Sequence, residues 1–407
     1  MALLNEYEKY IGSDFIYELE LLANRLSGVI IQNINSTKVG GGVAEILTRM
    51  IPILQELGVN AHWDVITGDE SFFEVTKKMH NALHGQNVKF TKEEIEIYLY
   101  TNERNANQLE LNGNIMFIHD PQPCALIRRK KEGEQKWIWR CHIDFSNPDL
   151  FTWNFLREYI EQYDSSIFSS PSFARELNIP QVLIPPSIDP LSDKNKELSQ
   201  ETIDSILERF NIDKKRPIVT QISRFDYLKD PVGVVKVFYR IRKYIDCQLV
   251  LAGGGATDDP EGAKVLSEVE EIAANDPDIF LLLLPPSSDI EINALQRAST
   301  VILQKSLKEG FGLTVAEALW KSKPVIAGAV GGIPLQIAHK YSGLLTHTLD
   351  GTAFALKQLL QNPSYAKMLG ENGHNHIRKN FLITRHIKDY MLLFLSLIHK
   401  KEDIVYL

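Results

Sequence analysis

Residues 308 to 317 read KEGFGLTVAE, which sets Glu309 and Glu317 eight positions apart around Gly310, Phe311 and Gly312. Glycines can take positive φ and admit a ligand close to the backbone. Thr314 to Lys321 then reads as a helix, whose first amides attract an anion such as a phosphate. A carboxylate beside bound phosphate is repelled, so the two glutamates make better sense as acceptors for hydroxyl groups. A sugar joined through a diphosphate to a nucleoside satisfies both demands, with Glu309 on sugar hydroxyls and Glu317 on ribose. A tight strand-to-helix turn, with Glu317 stabilising the helix start, accounts for the same spacing. A second stretch, SRFDYLKD at 223 to 230, carries Arg224 and Lys229 just after an apolar run. Arginine can clamp a diphosphate bidentately and lysine adds a compact charge. A solvated loop with an Arg224 to Asp226 ion pair is the plain alternative.

These groups need elements to hold them. Short apolar runs alternate with helical patterns: GVIIQNI at 28 to 34 precedes a glycine turn and a stretch in which Ile46, Met50, Ile53 and Leu57 recur at helical spacing. AHWDVI, NIMFIHD, WIWRCHI and SSIFSS continue the strand series to about residue 170. PIVTQIS, CQLVLAGG, DIFLLLL, STVILQ and KPVIAGA form a second series from 217 to 329. The expectation is α/β, with two Rossmann-like parallel-sheet domains facing across a cleft and ligands at the strand carboxyl ends. Proline punctuation in LIPPSIDPLSDKNKELSQ, 183 to 200, marks the linker. The expected division is an acceptor-binding domain at 1–195, a nucleotide-sugar domain at 196–381, and a helix at 382–407 crossing back to the first domain.

Composition narrows the class. The chain has 407 residues, 24% charged and 44% hydrophobic, with formal net charge −8. That balance describes a globular protein without a broad nucleic-acid footprint. Three cysteines, Cys124, Cys141 and Cys247, share no metal-ligand spacing and read as buried thiols. The first 26 residues carry acids throughout and read as an amphipathic helix rather than a signal peptide. No apolar run reaches membrane-spanning length, so a cytoplasmic location is expected. Asp258, Asp259 and Glu261 of TDDPEG read as a polar loop entering a helix, and neither metal nor cofactor is expected. Trp137 and Trp139 read as core.

The pairing of SRFDYLK with EGFGLTVAE resembles the donor site of retaining GT-B glycosyltransferases. NSTKVGGGVAEIL, FFEVTKKMHNALHG, HDPQP, WRCHID and PPSIDPLSDKN are similar to the trehalose-synthesising members of family 4, through nearly the whole chain. The resemblance implies transfer of glucose from ADP-, UDP- or GDP-glucose to glucose, giving α,α-trehalose reversibly with donor configuration retained. It assigns Arg224 and Lys229 to the diphosphate, Glu309 to donor glucose and Glu317 to ribose. Gly310, Phe311, Gly312, Leu313 and Thr314 become the loop around sugar and phosphates. Gly41 and Gly42 become a glycine loop over the diphosphate, although they also read as a plain turn. A lone histidine such as His142 at a strand end is usually structural, but the resemblance implies that it touches the donor sugar near the reacting carbon; His119 and Asp120, which also end a strand, are expected to bind the acceptor. Relatives suggest a homodimer, with small molecules as the other partners. A trehalose phosphorylase using inorganic phosphate and a non-catalytic sugar-nucleotide sensor are the two competing functions.

Overall fold

The structure, a computed structural model, describes residues 3–38, 42–131, 133, 135–254 and 260–399, without the side chains of 260 and 261. Gly41 and the residues 257–259 of TDDPEG lie outside the described residues, as does the side chain of Glu261. The chain divides into two compact units, one of Met1–Pro186 with Ile383–Leu407 and one of Ser187–Leu382.

In the first unit the strands are β1 Ile30–Asn35, β2 Asn60–Val65, β3 Ile115–His119, β4 Lys136–Arg140, β5 Ser165–Phe168 and β6 Gln181–Leu183. They pair in parallel in the order β2-β1-β3-β4-β5-β6. Parallel pairing requires a crossover between strands, and the intervening amphipathic helices supply it. The helix Lys92–Gln108 starts with a reciprocal cap in which Thr91 and Glu94 each satisfy the other's backbone amide. One face of the sheet buries Trp137, Trp139, Phe145, Phe168 and the three-aromatic neighbourhood of Phe72, Tyr98 and Tyr163. Both tryptophans belong to this core, as their apolar setting in the sequence implies. Order reverses between β1 and β3, so the carboxyl ends of those strands flank the crevice where open α/β sheets bind ligands.

The N-terminal segment departs from the single helix expected of it. Gly12 adopts φ +83° and divides it into Glu8–Ile11 and Ser13–Arg25. A residue in the left-handed region ends one helix and restarts the next. At the other end of the chain, the helix Ile383–Ile398 packs on β3, where Phe117 meets Tyr390 edge-on with ring centres 4.9 Å apart and Phe394 at 5.6 Å.

In the second unit β7 Ile218–Ile222, β8 Gln248–Gly254, β9 Ile279–Leu284, β10 Val301–Gln304, β11 Val325–Gly328 and β12 Leu344–Thr346 pair in parallel as β12-β11-β10-β7-β8-β9. The reversal falls between β7 and β10. β7, β10 and β11 are buried along their whole lengths, as strands covered by helices on both faces must be. The boundary after Pro186 corrects the expected one at 195. Residues 187–196 are tied to the second unit because the Asn195 and Lys196 carbonyls accept from Arg297 at 3.2 and 3.0 Å, and Asn293 donates to Asp193 and Lys196 at 2.8 Å. Proline punctuation marks where regular structure stops, and these side-chain bonds decide which unit owns the connector. Cys124, Cys141 and Cys247 are all buried free thiols. Among the described residues no helix is long and apolar enough to cross a membrane.

Candidate active site

In the second unit, the loops that leave β7 and β10 meet at the reversal point. The β7 loop is built around two aspartates. Asp226 accepts from the Leu228 amide at 2.6 Å, while Asp230, at φ 48°, caps the helix Pro231–Arg242 by accepting from the Gly233 amide at 3.0 Å. Asparagine and aspartate tolerate that left-handed conformation better than other side chains, and the same aspartate pairs with Lys305 at the end of β10. Gln221 Nε2 donates to the Lys229 carbonyl at 2.8 Å, and the Leu307 amide donates to the Leu228 carbonyl at 2.7 Å. The two loops are therefore one rigid construction. The start of the β7 loop also passes close to the neighbouring strand β8, where a Cβ on Gly253 would fall 1.8 Å from the Ser223 carbonyl oxygen.

Lys229 Nζ stands 2.6 Å from Glu309 Oε2, and Ser306 Oγ donates to the same carboxylate oxygen at 3.1 Å. Both partners are half-buried, which makes the pair stronger than a surface one. Arg224 is exposed on the same β7 loop as Lys229, 3.5 Å from Asp226. The structure therefore joins Lys229 and Glu309, and sets Arg224 on the same loop as Lys229. Gly310 and Phe311 follow, their carbonyls taken by the Gly332 amide at 3.1 Å and by the Gln336 side chain. Gly312, at φ +83°, is the N-cap of the helix Leu313–Trp320 and supplies no side-chain cap. The amides of Leu313 and Thr314 are first-turn donors without intrahelical acceptors, and they begin a helix whose dipole favours an anion. Gly331 comes so close beneath this loop, at φ +55°, that a Cβ would lie 1.6 Å from the Glu309 carbonyl oxygen.

Glu317 sits apart from Glu309, buried on the second turn of that helix. Gln296 Nε2 is 3.5 Å from its Oε2. Lys321, one turn on, donates to the Glu317 carbonyl at 3.0 Å and to Asn195 Oδ1 at 2.9 Å. Burial drives the Lys321 ammonium down to about 7, against the attraction of Glu317.

The first unit holds a second cluster at the carboxyl ends of β1, β3 and β4. Asp120 follows β3 at φ 67°; its amide donates to the Arg140 carbonyl at 2.7 Å, and its Oδ1 accepts from the His142 amide at 2.8 Å. Trp139 Nε1 donates to the Asp120 carbonyl at 3.0 Å. Desolvation raises the Asp120 carboxyl to about 7, although the His142 amide and the Arg140 charge act the other way. The His119 and His142 rings lie 26° from parallel with their nearest nitrogens 3.2 Å apart. Burial, then Arg140, lowers His119 to about 3, and the same two causes with His119 and His386 hold His142 well below the ordinary imidazole range. His142 thus lies two residues beyond β4, held by a carboxylate, rather than on the strand itself. Gly42 is the exposed first residue of the helix Gly42–Glu56.

Sequence reasoning missed four contributors. Ser306 precedes Glu309 by three positions and holds its carboxylate. Asn33 is one of three buried amides, with Gln32 and Asn35, in the strand Ile30–Asn35, and a buried amide requires hydrogen-bond partners. Arg140 is fully buried, with one guanidinium nitrogen donating to Ser169 Oγ at 3.2 Å. His386 lies on the C-terminal helix against Tyr390. Nothing in its local sequence announces that position. Among the described residues no group of three or more His, Cys, Asp or Glu is arranged to hold a metal ion.

The family model described as Trehalose synthase, N-terminal domain, matches residues 33–175, and that described as Glycosyl transferases group 1 matches residues 202–376. A protein of Thermococcus litoralis, named Trehalose synthase, is 43% identical over 399 residues, covering 97% of this chain and 97% of its own. A Trehalose phosphorylase of Pleurotus pulmonarius is 28% identical over 430 residues, covering 92% of this chain and 58% of its own. Among solved structures, a sucrose-phosphate synthase from Thermosynechococcus elongatus matches with a TM-score of 0.72 at 18% identity, covering 91% of this chain and 100% of that chain. The two parallel six-stranded sheets are those of the GT-B fold.

Proposed function

The chain belongs to the trehalose synthase family of glycosyltransferases, and from that premise we propose that it transfers glucose from a nucleoside-diphosphate glucose to the anomeric hydroxyl of glucose. The product is α,α-trehalose, formed reversibly and with the donor configuration retained. The observation that carries this reading is the Lys229 to Glu309 pair beside an uncapped helix start at the β7/β10 reversal. A cation, a hydroxyl acceptor and open amides in one place suit a sugar diphosphate.

Chemistry follows from charge. Lys229, Arg224 and the amides of Leu313 and Thr314 stabilise the departing diphosphate, the largest electrostatic demand of the reaction. Glu309 accepts from hydroxyls of the transferred glucose and Glu317 from ribose. Neither is assigned as the acid or the nucleophile of a hydrolytic carboxylate pair. The acceptor hydroxyl attacks the face from which the phosphate leaves, and a phosphate oxygen takes its proton. His142 contacts the transferred glucose and Asp120 the acceptor side, while His119, expected at the acceptor, is buried with both ring nitrogens engaged by Asn33 and His142 and stands behind His142 instead. No metal is assigned a role, and turnover is expected to survive a chelator.

The test incubates the protein with glucose and, separately, ADP-, UDP- and GDP-glucose, following trehalose and free nucleoside diphosphate. Equimolar release of the two establishes the synthase and ranks the donors. If trehalose with inorganic phosphate gives glucose 1-phosphate instead, the activity is that of the phosphorylases to which the chain is also similar. Silence in both assays leaves a sensor or a different acceptor.

A further inference from the structure

The hydrogen bonds around the paired histidines have a direction, and it can be traced from a fixed end. Asn33 Nδ2 lies 3.2 Å from the His62 carbonyl, which can only accept. That contact turns the Asn33 amide so that Oδ1 faces His119 Nε2 at 3.2 Å. An amide oxygen also only accepts, so His119 carries its hydrogen on Nε2. His119 is 2% exposed, and burial beside Arg140 keeps the ring neutral. Its Nδ1 is therefore a bare lone pair. That lone pair faces His142 Nε2 at 3.2 Å, and two lone pairs cannot face each other at that distance without repulsion, so His142 also carries its hydrogen on Nε2. Protonating the His142 ring would add a cation beside Arg140, with His119 and His386 as further neighbours, while Asp120, which holds the His142 amide, is itself held toward its neutral form.

We propose that Asn33 and His119 are positioning residues that lock His142 in its Nε2–H tautomer, leaving Nδ1 as an acceptor aimed at a sugar hydroxyl. The assignment of that hydroxyl rests on the glucosyl-transfer reading above, whereas the tautomer rests on the hydrogen bonds alone. A histidine free to exchange tautomers would offer an acceptor for only part of the time, and a buried partner chain removes that ambiguity. The backbone does the rest, because Asp120 grips the His142 amide and fixes where the ring begins.

The decisive measurement is a long-range proton–nitrogen NMR correlation on the full-length, ligand-free protein carrying 15N-histidine at neutral pH. His119→Gln and His142→Gln variants identify the two rings by the signals that disappear. Both rings are expected to be neutral with hydrogen on Nε2. A His142 ring with hydrogen on Nδ1, or an imidazolium, overturns the proposal whether or not the protein transfers glucose. Asn33→Leu removes the fixed end, so His142 should then show mixed tautomers and turnover should fall about tenfold, with the donor KM within about twofold. An Asn33→Leu protein that retains the wild-type tautomer at His142 shows that Asn33 does not set it. Should that variant fail to fold, the wild-type spectrum still decides between the two tautomers.

Discussion

Lys229 and Glu309 come from loops 80 residues apart and meet at 2.6 Å, with Ser306 on the same carboxylate oxygen. The cation assigned to the diphosphate is therefore already engaged by a carboxylate. A diphosphate must compete with Glu309 for Lys229, and removing the carboxylate removes the competitor. Glu309→Gln is expected to bind a nucleoside diphosphate several-fold more tightly, as loss of a half-buried pair contribution of about 1 kcal/mol implies. Turnover should fall in the same variant. Titration calorimetry reads the affinity, and unchanged or weaker binding would show that the pair does not restrain Lys229.

Lys229→Ala tests the other partner. Leaving-group stabilisation is realised in the transition state, so kcat should drop about 10²- to 10³-fold while KM for acceptor glucose moves by no more than about threefold. Steady-state kinetics with both substrates varied separates these. Equal losses in kcat and acceptor affinity would assign Lys229 to general site integrity instead.

Asp120→Asn should change stability in a pH-dependent way. The carboxyl is raised to about 7 in the folded protein from an ordinary 3.8. Between these values the folded chain keeps a proton that the unfolded chain has released, so stability falls as pH rises through that window. Asparagine tolerates the left-handed backbone at this position and can still accept the His142 amide. The variant should therefore gain stability over the wild type from pH 4 to pH 7 and hold that gain above it. Urea midpoints across that range measure it, and a constant difference would rule out the titration.

Lys321 gives the opposite sign. Its ammonium is lowered to about 7 from 10.5, so across that interval the unfolded chain binds the proton that the folded chain has lost. Stability should rise with pH from 7 toward 10.5. Lys321→Met should flatten that rise, and denaturation midpoints at pH 7, 8 and 9 would show it. A wild-type slope retained by the variant would place the titrating group elsewhere.

Two glycines separate strain from collision. Gly58 and Gly331 both have positive φ, but a Cβ at Gly58 meets nothing within 4 Å, whereas one at Gly331 collides with the Glu309 carbonyl. Gly58→Ala should cost about 1 kcal/mol and leave turnover intact. Gly331→Ala should cost about 2 to 4 kcal/mol and reduce turnover at least tenfold, because the Glu309 loop must move. Melting temperatures with initial rates report both, and an active Gly331→Ala protein would mean that the loop shifts without disturbing Glu309.

What the sequence determined by itself is what local patterns can carry. Alternation of apolar runs with helical spacing gave two parallel-sheet series, because burial of a strand or of a helix face is written in neighbouring residues. The glycines of EGFGL and the basic pair of SRFDYLK announced loops at strand ends, and Trp137 and Trp139 announced core. The tertiary structure alone decided strand order, and with it the reversal points at β1/β3 and β7/β10. It also decided the meeting of Lys229 with Glu309, the chain from Asn33 through His119 to His142, and the boundary after Pro186. Each of these joins residues far apart in the chain. Their contacts arise only when parallel strands pair across long crossovers, and no local period encodes which distant strand that will be.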